Sequence, residues 1–312
     1  MTDLADREWR LIREESWDGP MNMALDEIAA ETAAAGGPRT LRVYRWKPST
    51  LSLGYRQEAD TADWDYCDRE GITVTRRPTG GGGIFHGYDT DISYSITAPA
   101  AELPGDLMET YELLCTPVFD AFSAMDVPAH FADEPQPSLY QPSCYLRDLH
   151  PAHDVVAAGR KISGNAQYRR RDAIIQHGSL KYDLDAETHL AVFADPDLTP
   201  EDVETRITSI RELAGIDREQ AVRALEDALG EWANAEEGQW TQDEIDRARE
   251  RAATKFATDA WNRERTNPLA TRTRTSCFPV RRCVRRRPRE APPSAGCPAS
   301  GRWGRPPATG TG

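Results

Sequence analysis

Four consecutive glycines, Gly80 to Gly83, constrain this chain more than any other stretch of it. Glycine loses the most backbone freedom on folding, so such a run is costly inside a helix or a strand. It belongs to a loop, and its neighbours say which kind. Ile72-Thr-Val-Thr75 before it and Ile92-Ser-Tyr-Ser-Ile96 after it read as strands. Bare backbone between strands exposes N–H groups to a ligand and leaves room for an apolar chain. The plain alternative is a flexible turn. No Gly-Lys-Ser or Gly-Lys-Thr closes the run, which excludes a P-loop.

Leu41-Arg-Val-Tyr-Arg-Trp46, Leu51-Ser-Leu-Gly-Tyr55, Asp154-Val-Val-Ala157 and Ala173-Ile-Ile-Gln176 read as further strands. Met21, Leu25 and Ile28 predict a short amphipathic helix over 21–31. A stripe from Leu107 through Tyr111, Leu114, Val118 and Phe122 predicts another over 107–125. Helices are also expected at about 200–214, 217–233 and 241–260. Residues 127–154, with several prolines, read as a long surface loop, a place where function often sits on a rigid scaffold. Strands and helices do not alternate as βαβ units, which argues against a Rossmann domain.

No apolar run approaches the ~20 residues that span a bilayer, and the acidic start of the chain lacks the apolar segment of a secretory signal. A soluble, cytoplasmic protein without a membrane partner is the expectation. The net charge of −13 disfavours a nucleic-acid partner. Of 38 basic and 51 acidic residues, residues 1–266 hold 28 and 50, a net of −22. That acidity, with only four lysines in the chain, reads as halophilic: salt screens the repulsion between like charges. A genome rich in G and C, favouring Arg codons, is the other explanation. Residues 267–312 carry ten arginines against one acid, Glu290, and no apolar periodicity. They predict a disordered tail, with a basic RNA-binding arm as the functional alternative; the abrupt change also suggests translation out of frame. Six cysteines without a Cys-x-x-Cys point to neither a zinc knuckle nor a disulfide framework.

Three segments carry candidate chemistry. Arg76 and Arg77, just before the glycines, can meet a carboxylate or phosphate in bidentate fashion. In Gly159-Arg-Lys-Ile-Ser-Gly-Asn-Ala-Gln167, Gly159 and Gly164 are expected to frame a tight turn that projects Lys161, an ammonium suited to charge developing on a carbonyl oxygen or phosphate. Cys144, on the proline-rich loop, is a workable acyl-accepting nucleophile beside a lysine, or an inert buried thiol. His177 offers a base, a hydrogen bond within the site, or simple packing.

Read in order, Asn22-Met-Ala-Leu-Asp-Glu27, the segment from Arg76 to His86, the segment from Gly159 to Gln167, His177-Gly178 and Lys255 to Asn262 resemble the lipoate–protein ligases and the related octanoyltransferases of the cysteine–lysine type. The resemblance spans about Trp9 to Arg265. It implies an α+β fold, a largely antiparallel mixed sheet flanked by helices as in biotin protein ligases, and a catalytic domain over residues 1–266. It implies that Arg76, Arg77 and Gly80, Gly81, Gly82 and Gly83 line an acyl and adenylate pocket, with His86, Ser163, Gly164, Asn165, His177, Gly178 and Arg211 beside it. Lys161 would hold the acyl carbonyl and, in a ligase, the adenylate phosphate. The implied acceptors are the lipoyl domain of a 2-oxoacid dehydrogenase E2 subunit and the glycine cleavage H protein. Two departures stand out. Gly87 occupies the place of the family's usual Asp, and the Cys144–Lys161 interval is about two residues longer than in the octanoyltransferases.

The uninterrupted glycines, Phe85, the ligase-like Arg206-Ile-Thr-Ser-Ile-Arg211 and the salt-adapted composition favour a ligase using ATP and Mg2+ to attach lipoate. Against it, no accessory domain is recognisable, and lipoate ligases often need one within the chain or as a separate accessory subunit. Cys144, Pro78-Thr79 and residues 255–262 favour the alternative, an octanoyl or lipoyl transferase acting through a Cys144 thioester. Biotin ligase and a non-catalytic lipoyl-binding protein are further readings. No metal ligand is assigned.

The tail generates the first prediction. Truncation after Thr266 leaves the unfolding midpoint and activity unchanged; a cooperative loss of stability on thermal denaturation would show that the tail packs.

Overall fold

Segments of alternating and β-branched residues form a sheet because each buries side chains against its neighbours that it could not bury alone. The computed structural model describes residues 4–149, 153–170 and 172–269. Its strands are β1 (Trp9–Trp17), β2 (Arg39–Trp46), β3 (Thr50–Leu53), β4 (Thr73–Arg76), β5 (Ile84–His86), β6 (Asp91–Pro99), β7 (His130–Phe131), β8 (Asp154–Ala157), β9 (Arg160–Arg169), β10 (Ala173–Lys181) and β11 (Glu236–Glu237). The larger sheet runs β11-β1-β2-β6-β10-β9-β8-β7. From β2 to β7 every neighbouring pair is antiparallel, whereas β1 lies parallel to β2 and β11. A smaller sheet, β4-β3-β5, carries the glycine run between β4 and β5. This is the α+β architecture expected, largely antiparallel and mixed.

The helices are α1 (Gly19–Ala34), α2 (Trp64–Arg69), α3 (Leu107–Ala124), α4 (Ala186–Ala191), α5 (Pro200–Arg206), α6 (Ile210–Ala214), α7 (Arg218–Ala233), α8 (Gln242–Arg251) and α9 (Asp259–Asn262), with a π-helical turn at Ala252–Phe256. Leu114, Val118 and Phe122 of α3 and Leu225 and Leu229 of α7 pack on Leu41, Val43, Tyr94 and Ile96 of the sheet. Tyr44 and Trp46, on the opposite face of β2, pack on α1 and α8. Among the described residues no helix is long and apolar enough to cross a membrane. Residues 270–312, and with them most of the expected tail, lie outside the described residues.

Two expectations need correcting. Helix α1 is not amphipathic: Asn22, Asp26 and Glu27 are as buried as Leu25 and Ile28. It lies between the sheet and α8, and its polar groups have charged partners there. Arg42 Nη1 reaches Asp26 Oδ1 at 3.2 Å, while Lys255 and Arg251 both pair with Glu27. The second correction concerns Lys161. Gly159, with φ of +74°, does turn the chain between β8 and β9, but Gly164 sits inside β9 opposite Asp154 and Ser179. A one-residue bulge does the projecting instead: Val155 faces Ser163 and Val156 faces Lys161, so Ile162 is the extra residue. Side chains in an unbroken strand alternate faces, which would separate residues 161 and 164. The bulge shifts the alternation and turns both toward one cavity.

The Asp26–Arg42 pair has a testable cost. Removing one member of a buried pair leaves the other charge uncompensated, typically about 3–5 kcal/mol. Arg42→Met is expected to lower unfolding free energy by about that amount, measured by urea denaturation. A loss below about 1 kcal/mol would show that solvent reaches Asp26.

Candidate functional site

A cavity of about 400 Å³ opens between β2, β9, β10 and the glycine loop. Its wall is made by two loops held together through backbone. Gly83 N donates to Pro142 O at 2.6 Å, and Cys144 N donates to Gly83 O at 2.8 Å. A Cβ at Gly82 would stand 2.7 Å from Cys144 N and Pro142 O, so this approach requires glycine. Ser143 Oγ bonds His189 Nε2 at 2.9 Å, anchoring the loop from below. Burial and the nearby Lys181 charge push the His189 pKa down to about 3, so that ring is neutral.

Cys144 and Lys161 meet at the cavity. Lys161 Nζ lies 3.8 Å from Cys144 Sγ, 2.8 Å from Cys144 O and 2.7 Å from Asp154 Oδ1. Burial disfavours the ammonium, but Cys144 and Asp154 outweigh it and raise the Lys161 pKa above its ordinary value. Burial likewise opposes ionisation of Asp154, yet Lys161 and His153 hold its carboxyl well below the usual carboxylate range. The lysine therefore stays charged beside the sulfur. A Cβ built on Gly164 would lie 3.6 Å from both Sγ and Nζ, so glycine there keeps the space over the pair open. A sulfur nucleophile, an adjacent fixed cation and an empty acyl-sized volume are the parts that acyl transfer through a thioester needs.

Most of the expected residues gather here. Arg77, Gly80, Gly81 and His86 line the cavity on one side, and Cys144, Lys161, Gly164, Asn165, His177 and Gly178 on the other. His177 Nε2 shares a 2.7 Å hydrogen bond with Thr79 Oγ1, and its Nδ1 lies 3.6 Å from Asp26 Oδ2. Asn165 accepts from Tyr94 Oη at 2.7 Å and donates to His153 O at 3.0 Å, which fixes β9 over the sheet. Gly178 is required by packing, since a Cβ would fall 2.3 Å from Asn165 Oδ1. Gly82 and Gly83 hold the Cys144 loop.

Four expected roles are not what the geometry provides. Arg76 lies outside the cavity and donates to the carbonyls of Gly54, Gln57 and Asn262 at 2.6 to 3.0 Å. Arg77 is fully buried and donates to Ser52 O, Gly80 O and Gly82 O. Both arginines brace loops with groups that a phosphate would need. Ser163 is buried beneath the bulge and does not line the cavity. Arg211 sits on the surface, 2.7 Å from Asp183 Oδ2, while Ile207 and Thr208 of its segment pack against Lys161 through backbone. The acids near Gly87 are also placed: Asp89 pairs with Arg45, and buried Asp91 holds His86 Nδ1 at 2.8 Å and Lys181 Nζ at 3.3 Å. Among the described residues no three His, Cys, Asp or Glu side chains are grouped to hold a metal. Asp154, Asp26 and Arg147 escaped the sequence reading. Asp154 and Arg147 lie outside the motifs and are brought in by strand register and loop closure, while Asp26 lies within residues 22–27 and is brought to His177 by helix α1.

A family profile described as the lipoyl protein ligase A/B catalytic domain matches residues 18–230. The chain is 34% identical over 273 residues to octanoyltransferase LipM of Kyrpidia tusciae, covering 81% of this chain and 98% of that one. It is 29% identical to octanoyltransferase LipM of Bacillus subtilis over 273 residues, covering 82% and 98%. Among solved structures it is similar to a bipartite lipoate protein ligase from Thermoplasma acidophilum, with TM-score 0.69 and 23% identity over 82% of this chain and 96% of that one. A lipoate-protein ligase A bound with ATP gives TM-score 0.68 and 24% identity over 82% and 98%. These two structures share the fold.

The Asp154–Lys161 pair predicts a pH dependence. Asp154's folded pKa is depressed, so its contribution to stability is present above the ordinary 3.8 and is lost as pH falls through the lower folded value. Asp154→Asn should cost about 3–5 kcal/mol at neutral pH, with the gap to wild type narrowing only below pH 3.8. Denaturation over a pH series checks this; a gap constant into strong acid would contradict it.

Proposed function

We propose that this chain, which belongs to the lipoyl protein ligase A/B catalytic-domain family, moves an octanoyl group from a thioester donor to the lysine of a lipoyl carrier domain by way of Cys144. The observation that carries this reading is Cys144 Sγ, 3.8 Å from an ammonium held charged by Asp154, at a cavity of acyl size. The LipM relatives support it by name and by near full-length similarity.

The chemistry follows from the positions. The Cys144 thiolate attacks the donor carbonyl, forming the new C–S bond. Lys161 Nζ stabilises the charge that develops on the carbonyl oxygen, since a preorganised cation in a dry site costs little reorganisation at that moment. The donor sulfur leaves as thiolate and takes a proton, completing the first transfer. The neutral ε-amine of the acceptor lysine then attacks the Cys144 thioester, and its excess proton passes to the released sulfur or to solvent. Lys161 serves the same oxygen in both halves. Arg77, Gly82 and Gly83 hold the loop that presents the sulfur.

The ligase reading, with ATP, Mg2+ and lipoate, rests on the shared fold, the uninterrupted glycines, Phe85, the resemblance of residues 206–211 and the salt-adapted composition. It assigned Arg76 and Arg77 to phosphate, whereas the Arg76 donors and the Nη groups of Arg77 are engaged with backbone carbonyls. The transferase reading uses the residues where they stand, so it is preferred.

Transfer from an octanoyl thioester to an apo-lipoyl domain should proceed without ATP. Cys144→Ala should abolish it, and Lys161→Ala should slow it by roughly 10²–10³-fold, the scale of losing one charge-stabilising donor. Mass gain on the acceptor is the readout. Lipoate-dependent modification with release of AMP, retained in Cys144→Ala, would return the ligase reading.

A further inference from the structure

Amide formation at Cys144 leaves one proton without an assigned acceptor. The incoming lysine attacks as an amine and becomes cationic once the C–N bond forms. A cationic nitrogen leaves as readily as it arrived, so a base that removes its proton commits the intermediate to the amide. Lys161 cannot be that base, because Asp154 keeps it an ammonium and an ammonium has no lone pair. Cys144 Sγ cannot be either while it carries the acyl group. The proton has to go to another group at the cavity.

Three histidines line the cavity, His86, His153 and His177. The acceptor lysine belongs to a folded domain and arrives from solvent, so its base belongs where the cavity meets solvent. The side chains of His86 and His177 are only 5% and 9% exposed, whereas that of His153 is 35% exposed. Asp148 and Asp154 also line the cavity, but a carboxylate is by nature a far weaker base than an imidazole. His153 is placed by the site itself. Its Nδ1 lies 3.4 Å from Asp154 Oδ1, the same oxygen that Lys161 Nζ meets at 2.7 Å. One carboxylate atom therefore positions both the cation and the ring. Asn165 Nδ2 donates to His153 O at 3.0 Å and ties that residue to β9. The Tyr111 ring of α3 packs on the imidazole, with centroids 5.7 Å apart, and burial pushes its phenol up to about 12, so it stays neutral. The charged groups facing the ring are thus Asp154 of β8 and, behind it, Lys161 of β9, with Arg147 and Asp148 elsewhere on the cavity wall.

We propose that His153 is the general base of the second half-reaction, taking the proton from the acceptor nitrogen as it attacks the Cys144 thioester. The inference rests on the transferase reading. The amine forms the C–N bond while the carbonyl π pair moves to oxygen, opposite Lys161. The ring nitrogen away from Asp154 takes the N–H proton. The oxygen pair then restores the C=O bond, the C–S bond breaks, and Cys144 leaves as thiolate beside the ammonium. The imidazolium returns its proton to solvent. Histidine changes charge near neutral pH, where proton transfer of this kind is most efficient, and a carboxylate beside one ring nitrogen orients the other.

The two half-reactions can be timed separately on the full-length protein, with octanoyl-carrier protein as donor, an apo-lipoyl domain as acceptor and intact mass as the readout. In His153→Gln, acylation of Cys144 should stay within about twofold of wild type. Transfer from it should slow by about 10²-fold, the scale of losing a general base, so that acyl-enzyme accumulates. The logarithm of the wild-type transfer rate should rise more steeply with pH in acid, where ring and acceptor must both lose a proton, and bend to a shallower slope above. The bend should be absent from His153→Gln. In His153→Ala, added imidazole should restore part of the transfer and leave acylation unchanged. Equal slowing of both half-reactions would assign His153 to holding Asp154 and Lys161 in place and overturn the base. Transfer within about threefold of wild type in either folded variant would overturn it as well. A wild-type profile without the bend would do so whether or not the variants fold. Failure of wild type to form acyl-Cys144 at all would remove the transferase reading, and the base with it.

Discussion

A lysine with no exposure to solvent must be kept charged, and much of this site is arranged around that requirement. An ammonium taken out of water loses several kcal/mol of hydration unless close partners replace it. Asp154 supplies the opposite charge and Cys144 O a hydrogen bond, and the two arrive from different segments. Asp154 comes from the neighbouring strand β8, in a register fixed by the bulge at Ile162. Cys144 comes from the long loop, held in place by the backbone bonds of Gly83. If the bulge were absent, residues 161 and 164 would face opposite ways, and the ammonium and the open space over it would be separated.

The same logic extends outward. The glycine run is less a ligand cradle than a close-packing device. Gly82 admits Cys144 N, and a Cβ on Gly54 would fall 1.9 Å from Gly81 O. Arg77 then braces the run from within, a buried cation whose Nη groups donate to backbone carbonyls while its Nε has no partner among the described residues, with its pKa lowered by burial. Arg76 ties the start of the loop to Asn262, 186 residues away in the chain, and so links the last helix to the site. Helix α1 adds Asp26, 3.6 Å from His177 Nδ1, and so ties His177 to the helix layer.

How much of this the sequence revealed depends on the range of the interaction. Strand and helix positions were legible because period and turn residues are local signals. Cys144, Lys161, His177 and the glycines were legible as chemically rare groups in short motifs. The bulge was not, since an extra residue in a strand leaves no mark without its partner strand, and a tight turn was the natural substitute. The buried polar face of α1 was hidden for the same reason: Asp26 and Glu27 read as solvent-facing until Arg42, Arg251 and Lys255 are brought to them. Arg76 and Arg77 looked like anion ligands because the carbonyls that occupy them are assembled only by the fold. The preference for a ligase came from such composition and loop cues; the geometry around Cys144 and the similarity to LipM proteins weigh toward the transferase.

The account stands on a covalent acyl group at Cys144, which one measurement addresses directly. Purified full-length protein is mixed with octanoyl-carrier protein in the absence of ATP and of any acceptor, quenched in acid and weighed intact. The account predicts a gain of one octanoyl group, located by peptide mapping to Cys144 and removed by hydroxylamine. An unmodified mass under conditions where the same protein goes on to modify an added lipoyl domain would contradict it.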